Sequence, residues 1–472
     1  MNKITLAVRS ALGLAMLAPP AFVFAQTTAD ASSNALQEVI VTGIRASLEE
    51  SLEVKRASVS VEDVITAEDI GKMPDKNIAD SLQRVPGMTI SSAGATEGGF
   101  DENDRVSMRG TNPSLTQTLI NGHNVAAGDW FVLDQTNTVG RSVSYTLLPS
   151  ELVSQIVVHK SSEASLVEGG VAGSVDIITR KPLDVAKPLT FEASVGAVYA
   201  DLPKKTDPQL SALANWHNDE KNFGILLQGF SEVRHLQRDG VELLGYDTIA
   251  PGSAIASAHP NLAKVVYPTD IGEAFFQQKR TRTGGLVDVQ WQPSDALGFD
   301  LSGFESYLKA PNYNRNYLLW NTHFINSGAG QAPDPGYVVS NGTLTKANFT
   351  GVPGTFYGVY DQISRPDESE SSNFVNLDST LKVNEALSFF AQAGISKGEG
   401  KTPTQDVSET QPDQGNGAGY QLNGVSSGPS FNFGNTNNTT PFAGGMPVAF
   451  GWIFGAENVD VTDKEDWAML DG

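Results

Sequence analysis

The chain has no cysteine. Disulfide frameworks, thiolate metal sites, cysteine nucleophiles and a lipidated N-terminal cysteine are excluded together. Histidine is scarce. The six present (His123, His159, His217, His235, His259, His323) show no paired spacing, so neither a metal site nor a cofactor is expected. Basic residues are outnumbered, 32 Lys and Arg against 54 Asp and Glu, for a formal charge of -22. Phosphate binding needs clustered Lys and Arg, so nucleic acid is not an expected partner. No apolar run approaches the roughly 20 residues of a membrane-spanning helix. Material for a core is nevertheless ample: 472 residues, 40% hydrophobic and 8% aromatic, too apolar for a disordered chain.

Residues 1–25 carry Lys3 and Arg9, an apolar run from Ala11 to Ala18, Pro19-Pro20, and Val23-Phe24-Ala25. A charged start, a short apolar stretch and small residues before position 26 mark an export signal cleaved after Ala25. Gln26 to Leu36 reads as a flexible linker. The β-branched run Glu38-Val39-Ile40-Val41-Thr42 follows and predicts a short strand ended by Gly43. Ile44, Leu48 and Leu52 share one face of a helix predicted over 44–56. A second helix is expected from Thr66 to Met73. A third should begin at Asp75, with the stripe Ile78, Leu82, Val85, and stop at Pro86-Gly87. Short strands between glycine-rich turns then fill 88–182: 88–90, 106–109, 118–120, 152–159 and 175–179. Helices followed by interleaved strands predict a small α+β domain over 58–185.

From residue 186 to 472 the period is two. Val375, Leu377, Leu381 and Val383 alternate with polar neighbours; so do Val287, Val289 and Trp291 with Asp288 and Gln290. A soluble sandwich gives the same alternation, but the connections discriminate. Links at His217 to Lys221, Pro293 to Ala296 and Val383 to Ala386 are short, whereas those at about 238–272, 310–368 and from 398 onward are long and polar. Short turns on one side and long loops on the other are the asymmetry of an outer-membrane barrel. Trp216, Phe223, Trp291 and Phe299 flank the short turns, as an aromatic girdle would.

Catalytic patterns fail on context. Gly424-Val425-Ser426-Ser427-Gly428 has the spacing of a nucleophile elbow, yet it lies in an Asn/Gly-rich loop and every histidine precedes it, which excludes the Ser, acid, His order. Gly169 to Gly173 is followed by no strand-to-helix switch and is a turn, not a dinucleotide loop. No enzyme activity is expected.

Five blocks in order resemble the TonB-dependent receptors of the bacterial outer membrane: Glu38 to Thr42; Asn77 to Gly87, ending in Pro-Gly; Arg109-Gly110 with Leu119-Ile120-Asn121-Gly122; Leu147 to Ser161; and Glu168 to Pro182. Asp129-Trp130, Tyr145 to Glu151 and Glu168-Gly169-Gly170 look most like a proteobacterial subfamily often linked to oligosaccharide uptake. The resemblance implies an α+β plug inside a transmembrane antiparallel β-barrel of 22 strands in outer-membrane lipid, of which about seven or eight strands are recognisable here, the N-terminal portion of a longer receptor. It implies that Glu38, Val39, Ile40, Val41 and Thr42 form the box that binds TonB. It also implies a plug–barrel lock in which two plug arginines meet barrel glutamates. Arg109 matches the first; Lys160 stands where the second would be and lacks its bidentate fork. Substrate should meet the apical plug loops. Phe100-Asp101 and Asp129-Trp130 fall there, and an indole face beside a carboxylate suits a saccharide. Residues 398–472 hold ten acidic and two basic residues, a field that repels anionic chelates and tolerates neutral glycans. The expected function is TonB-coupled import of an oligosaccharide; the alternatives are a ferric-siderophore or other metal-chelate receptor and, more remotely, a secreted β-rich adhesin or hydrolase.

Overall fold

The computed structural model describes residues 49, 51–66, 77–91, 105–128, 143–164, 166–326, 330–352, 356–412, 417–433, 448–450 and 458–472. The leader, the strand at 38–42, the helix at 66–73 beyond Thr66, and Phe100, Asp101, Asp129 and Trp130 lie outside these residues.

The N-terminal domain begins with a helical run over 51–57. Its strands are β1 (Glu62–Thr66), β2 (Met88–Ser91), β3 (Arg105–Met108), β4 (Thr116–Ile120), β5 (His123–Asn124), β6 (Val153–His159) and β7 (Gly173–Thr179). A five-stranded sheet runs β1-β6-β7-β4-β5, while β2 and β3 pair separately. A helix, Ile78–Leu82, is capped by Asn77, whose side chain accepts from the Asp80 amide. The expected stripe of Ile78, Leu82 and Val85 is buried. Each short strand expected from residue 88 to 182 is present, and each lends side chains to this core.

The second domain is almost wholly strand: β8 (Leu189–Ala200), β9 (Lys205–His217), β10 (Phe223–Leu243), β11 (Tyr246–Thr248), β12 (Val266–Pro268), β13 (Asp270–Ser294), β14 (Leu297–Lys309), β15 (Asn312–Trp320), β16 (Val338–Ser340), β17 (Thr343–Phe349), β18 (Gly358–Arg365), β19 (Ser369–Asn384), β20 (Leu387–Thr402), β21 (Asp406–Pro412), β22 (Ala418–Gln421), β23 (Ser430–Asn432), β24 (Val448–Phe450) and β25 (Val459–Asp471). Twelve of them form one antiparallel sheet, with β8-β9-β10-β13-β14-β19-β20-β25 in chain order. Near the short turns it is apolar outside and polar inside. Phe191, Val195 and Trp291 are 72%, 83% and 50% exposed on the outer face, whereas Asn215, Gln228, Asp288 and Asn376 are buried on the inner one. A sandwich would show the reverse; this is the dyad pattern of a wall facing lipid. Trp291 sits opposite both Phe223 and Phe299 and stacks on Phe299 at 5.6 Å, while Trp216 meets Phe223 edge-on at 6.0 Å.

Two sequence expectations need correction. The stretches read as loops at 310–368 and beyond 398 are in part the same strands continued. Thr281 faces Lys309 and Gln278 faces Asn312 in one unbroken register, so β14 and β15 are one line interrupted at Ala310-Pro311. Likewise β20 and β21 keep one register against β19 and β18, broken at Pro403. Proline cannot donate to a ladder and so punctuates each line. β15 and β21 continue the lines of β14 and β20, so the twelve segments of the described sheet are not twelve separate crossings. β13 alone has 25 residues, against the about 9 to 11 that cross a bilayer, so the wall rises far out of the apolar band. Second, the long connections are not merely solvated. Strands β11, β12, β16, β17, β22 and β23 form a smaller sheet over a core that includes Ile255, Leu262, Tyr267, Phe324, Tyr357 and Phe433.

Candidate functional site at the seam between plug and wall

Arg109 and Lys160 do come together, but within the plug. Arg109 sits at φ +59° in the turn after β3, and its guanidinium donates to the Lys160 carbonyl. The Lys160 ammonium pairs with Asp63 of β1 and donates to the Pro86 carbonyl at 2.6 Å. Asp63 also pairs with Lys55 of the N-terminal helical run. Burial raises the Asp63 carboxyl pKa, but the two lysines outweigh it and hold the pKa below its ordinary value. The expected meeting of Arg109 and Lys160 with barrel glutamates is therefore absent among the described contacts. Both side chains knot β1, the Pro86-Gly87 turn, the turn after β3 and the end of β6. A cavity of about 760 Å³ opens beside them, bounded by Gln117 and residues 161–164 and 166–174.

Other residues join plug to wall. Just past β7, Lys181 reaches Asp288 of β13 and Asp300 of β14, each at 2.8 Å. Burial works against the Lys181 cation, but the two carboxylates prevail and raise its pKa. Arg282 of β13 donates to the Thr146 carbonyl at 2.7 Å, and the Thr146 hydroxyl donates to Glu370 of β19 at 3.0 Å. His123 of β5 lies 2.9 Å from Asp378 of β19 and stacks on Trp467 of β25 at 5.5 Å. Nearby, burial pushes the Asp176 carboxyl up against the opposing pull of the Gly122 amide, His159 and His123.

The two domains also share one hydrophobic core. Leu213, Leu226, Phe230, Leu286, Phe304 and Phe374 of the wall cluster with Ile156, Val158 and Tyr145 of the plug. At the top of this contact backbone meets backbone: a Cβ on Gly398 of β20 would stand 2.4 Å from the Ala127 Cα. Gly128, the last described residue before Asp129-Trp130, would likewise drive a Cβ into the Gly400 amide at 2.3 Å. The wall thus grips the plug where the chain departs toward the expected substrate loop. Sequence reasoning passed over Lys181, Thr146 and Arg282. The available signal was Asp288, a carboxylate on the inward face of a lipid-facing strand, which calls for a cation from the plug.

Comparison with known proteins follows the same division. Residues 54–175 match the family described as TonB-dependent Receptor Plug Domain. The chain is similar to a probable TonB-dependent siderophore receptor, PirA, of Acinetobacter baumannii, with 33% identity over 125 residues, 25% of this chain and 16% of that protein. It is also similar to the vitamin B12 transporter BtuB of Photobacterium profundum, with 31% identity over 170 residues, 36% of this chain and 24% of that protein. These matches span between a sixth and a quarter of the relatives' own length. Among solved structures, the outer membrane transporter YddB from Escherichia coli aligns over 76% of this chain and 53% of its own, at 12% identity and a TM-score of 0.36. The fold described above rests on this chain's own strands.

Proposed function

We propose, from the premise that this chain belongs to the TonB-dependent outer-membrane receptors, that it works as an energy-coupled importer whose plug is opened through its N-terminus. The observation that carries this reading is the plug seated by ion pairs and a shared core against an apolar-out, polar-in wall. Residues 1–25 are an export leader, 26–57 the linker, box and helical run, 58–185 the plug, and 186–472 wall with outward extensions. Strands β8 and β25 each have one partner in the described sheet. An open edge in a bilayer leaves amides and carbonyls unsatisfied, so we read the sheet as part of a closed barrel, for which the family resemblance implies 22 strands.

Coupling is assigned to Glu38 to Thr42. A β-branched peptide on a flexible linker suits addition to an edge of TonB, with main-chain hydrogen bonds supplying affinity. Tension on it arrives first at the helical run and the Lys55–Asp63 pair. Next comes β1, an edge strand joined to the sheet through β6. Lys181, Arg282 and the shared core hold the remainder to the wall, so β1 is the element that yields first.

The cargo is read as an oligosaccharide, on the Asp129-Trp130 pair and the acidic 398–472 segment. A metal chelate is the second reading, favoured by the printed names of the relatives. Uptake of labelled maltodextrin, xylan and chitin oligomers and of ferric chelates, with and without TonB, tests both.

A further inference from the structure

The outer rim of the wall carries an indole that neither the seam nor the extracellular core uses. β10 and β13 keep one register from Phe223 opposite Trp291 to Leu243 opposite Ile271, so residues an even number of positions from the buried Asp288 stay on the inner face throughout. Asp270, the first residue of β13, is one of them. Trp320, at the end of β15, lies directly opposite it, and cross-strand partners share a face. Trp320 therefore faces the lumen, about 60 Å along the strand from Asp288.

This indole is fixed in place without being enclosed. His323, in the short helix Thr322–Ile325, stacks on it with ring centroids 3.7 Å apart and planes at 18°. Burial pushes the His323 pKa below its ordinary value, against the pull of its hydrogen bond to the Phe356 backbone, so the backing ring is neutral at neutral pH. Trp320 is half-buried and belongs to none of the hydrophobic cores. Among the described residues its indole N–H makes no hydrogen bond, and Nε1 stays open to solvent. Tyr317, on the outer face of the same strand, shows the contrast: it is buried between Tyr360 and Phe433.

A saccharide ring has an apolar C–H face and hydroxyls around its edge. A flat indole, an N–H donor at its rim and a carboxylate on the same face match those groups, and a side chain already held by stacking has little rotamer freedom left to lose on binding. We propose that Trp320, backed by His323 and flanked by Asp270, is a rim subsite that stacks one pyranose ring of a neutral oligosaccharide before the cargo reaches the plug. The inference rests on the oligosaccharide reading of the cargo and adds the place where the glycan is first held.

The test titrates the full-length receptor in detergent with maltodextrin, xylan and chitin oligomers and with ferric chelates. Trp320→Ala should raise the dissociation constant for the bound glycan by roughly tenfold, the upper scale of one ring-stacking contact. Trp320→Phe, which keeps a flat face, should lose far less, and His323→Ala, which frees the indole to rotate, should fall between the two. Should the alanine variant fail to fold, Trp320→Leu, which fills the space without a flat face, should show the same loss. In cells the half-saturating glycan concentration for uptake should rise in step at wild-type surface levels of receptor. Equal glycan affinity in wild type and Trp320→Ala would overturn the rim subsite and leave the cargo reading standing. Binding of a ferric chelate in place of every glycan would overturn both.

Discussion

Replacing Lys181 by methionine removes the only cation that the described contacts place on the Asp288 and Asp300 carboxylates. Methionine keeps most of the side-chain volume, so the change isolates charge. Asp288 is fully buried on the inner face of β13; Lys181 binds its Oδ2, and its Oδ1 has no hydrogen-bond partner. Lys181 meets both carboxylates at 2.8 Å. Breaking a buried pair from one side leaves an uncompensated charge and costs about 3 to 5 kcal/mol. Asp300, partly exposed, adds like-charge repulsion once the ammonium is gone. Because the folded pKa of Lys181 is raised above 10.5, its stabilisation is fully present below the unfolded value and fades only as pH climbs through the folded one. The ammonium itself therefore stays charged across the neutral range, and the pair is lost from the lysine side only in strong alkali. The assay is a double-mutant cycle by thermal unfolding, with Lys181→Met, Asp288→Asn and the pair, alongside antibiotic entry into cells. The single lysine variant should lose stability and leak, and the pair should recover part of the loss through a coupling of about 1 to 3 kcal/mol. A lysine variant within about 0.5 kcal/mol of wild type, as for an ordinary surface change, would refute Lys181 as a seat of the plug.

Further outcomes follow from the same geometry. Ile40→Pro removes an amide donor from the proposed TonB strand and should abolish uptake while cell-surface binding of cargo persists. Asp63→Asn should free the N-terminal helical run for proteolysis at a cost of about 1 kcal/mol or less, since its partners are partly exposed. The depressed Asp63 pKa places that contribution above pH 4, to be lost only as pH falls through the lower folded value. Gly398→Val forces a side chain into the Ala127 backbone and should cost about 1 to 3 kcal/mol by overpacking, read as a lower unfolding midpoint and raised leakage.

The plug was legible because its strands are short apolar runs set between glycine-rich turns, each lending side chains to one core. The membrane-level wall was legible for a related reason: lipid outside and polar lumen inside impose period two with apolar residues facing out, as Trp291 and Asp288 show. Above that level water lies outside the wall and the alternation loses its contrast. Asn312, Asn314 and Asn316 are buried on one face of β15 yet read as loop residues, and Pro311 and Pro403 reinforce that reading. Arg109 and Lys160 were expected as a pair, and they do meet, within the plug. Sequence reports their charge, whereas reach decides the contact, and the Lys160 ammonium meets Asp63 two residues along the neighbouring strand. Lys181 escaped notice because no local pattern joins it to Asp288, 107 residues later.

The most direct test of energised import is accumulation of labelled oligosaccharide by cells carrying the full-length receptor, compared with and without TonB and after collapse of the inner-membrane proton gradient. Accumulation should require both TonB and the gradient, and Trp130→Ala should weaken cargo binding by about 1 to 3 kcal/mol without changing its salt dependence. Uptake that continues without TonB would contradict the coupling. Tight, salt-sensitive uptake of a ferric chelate in place of the glycan would contradict the cargo.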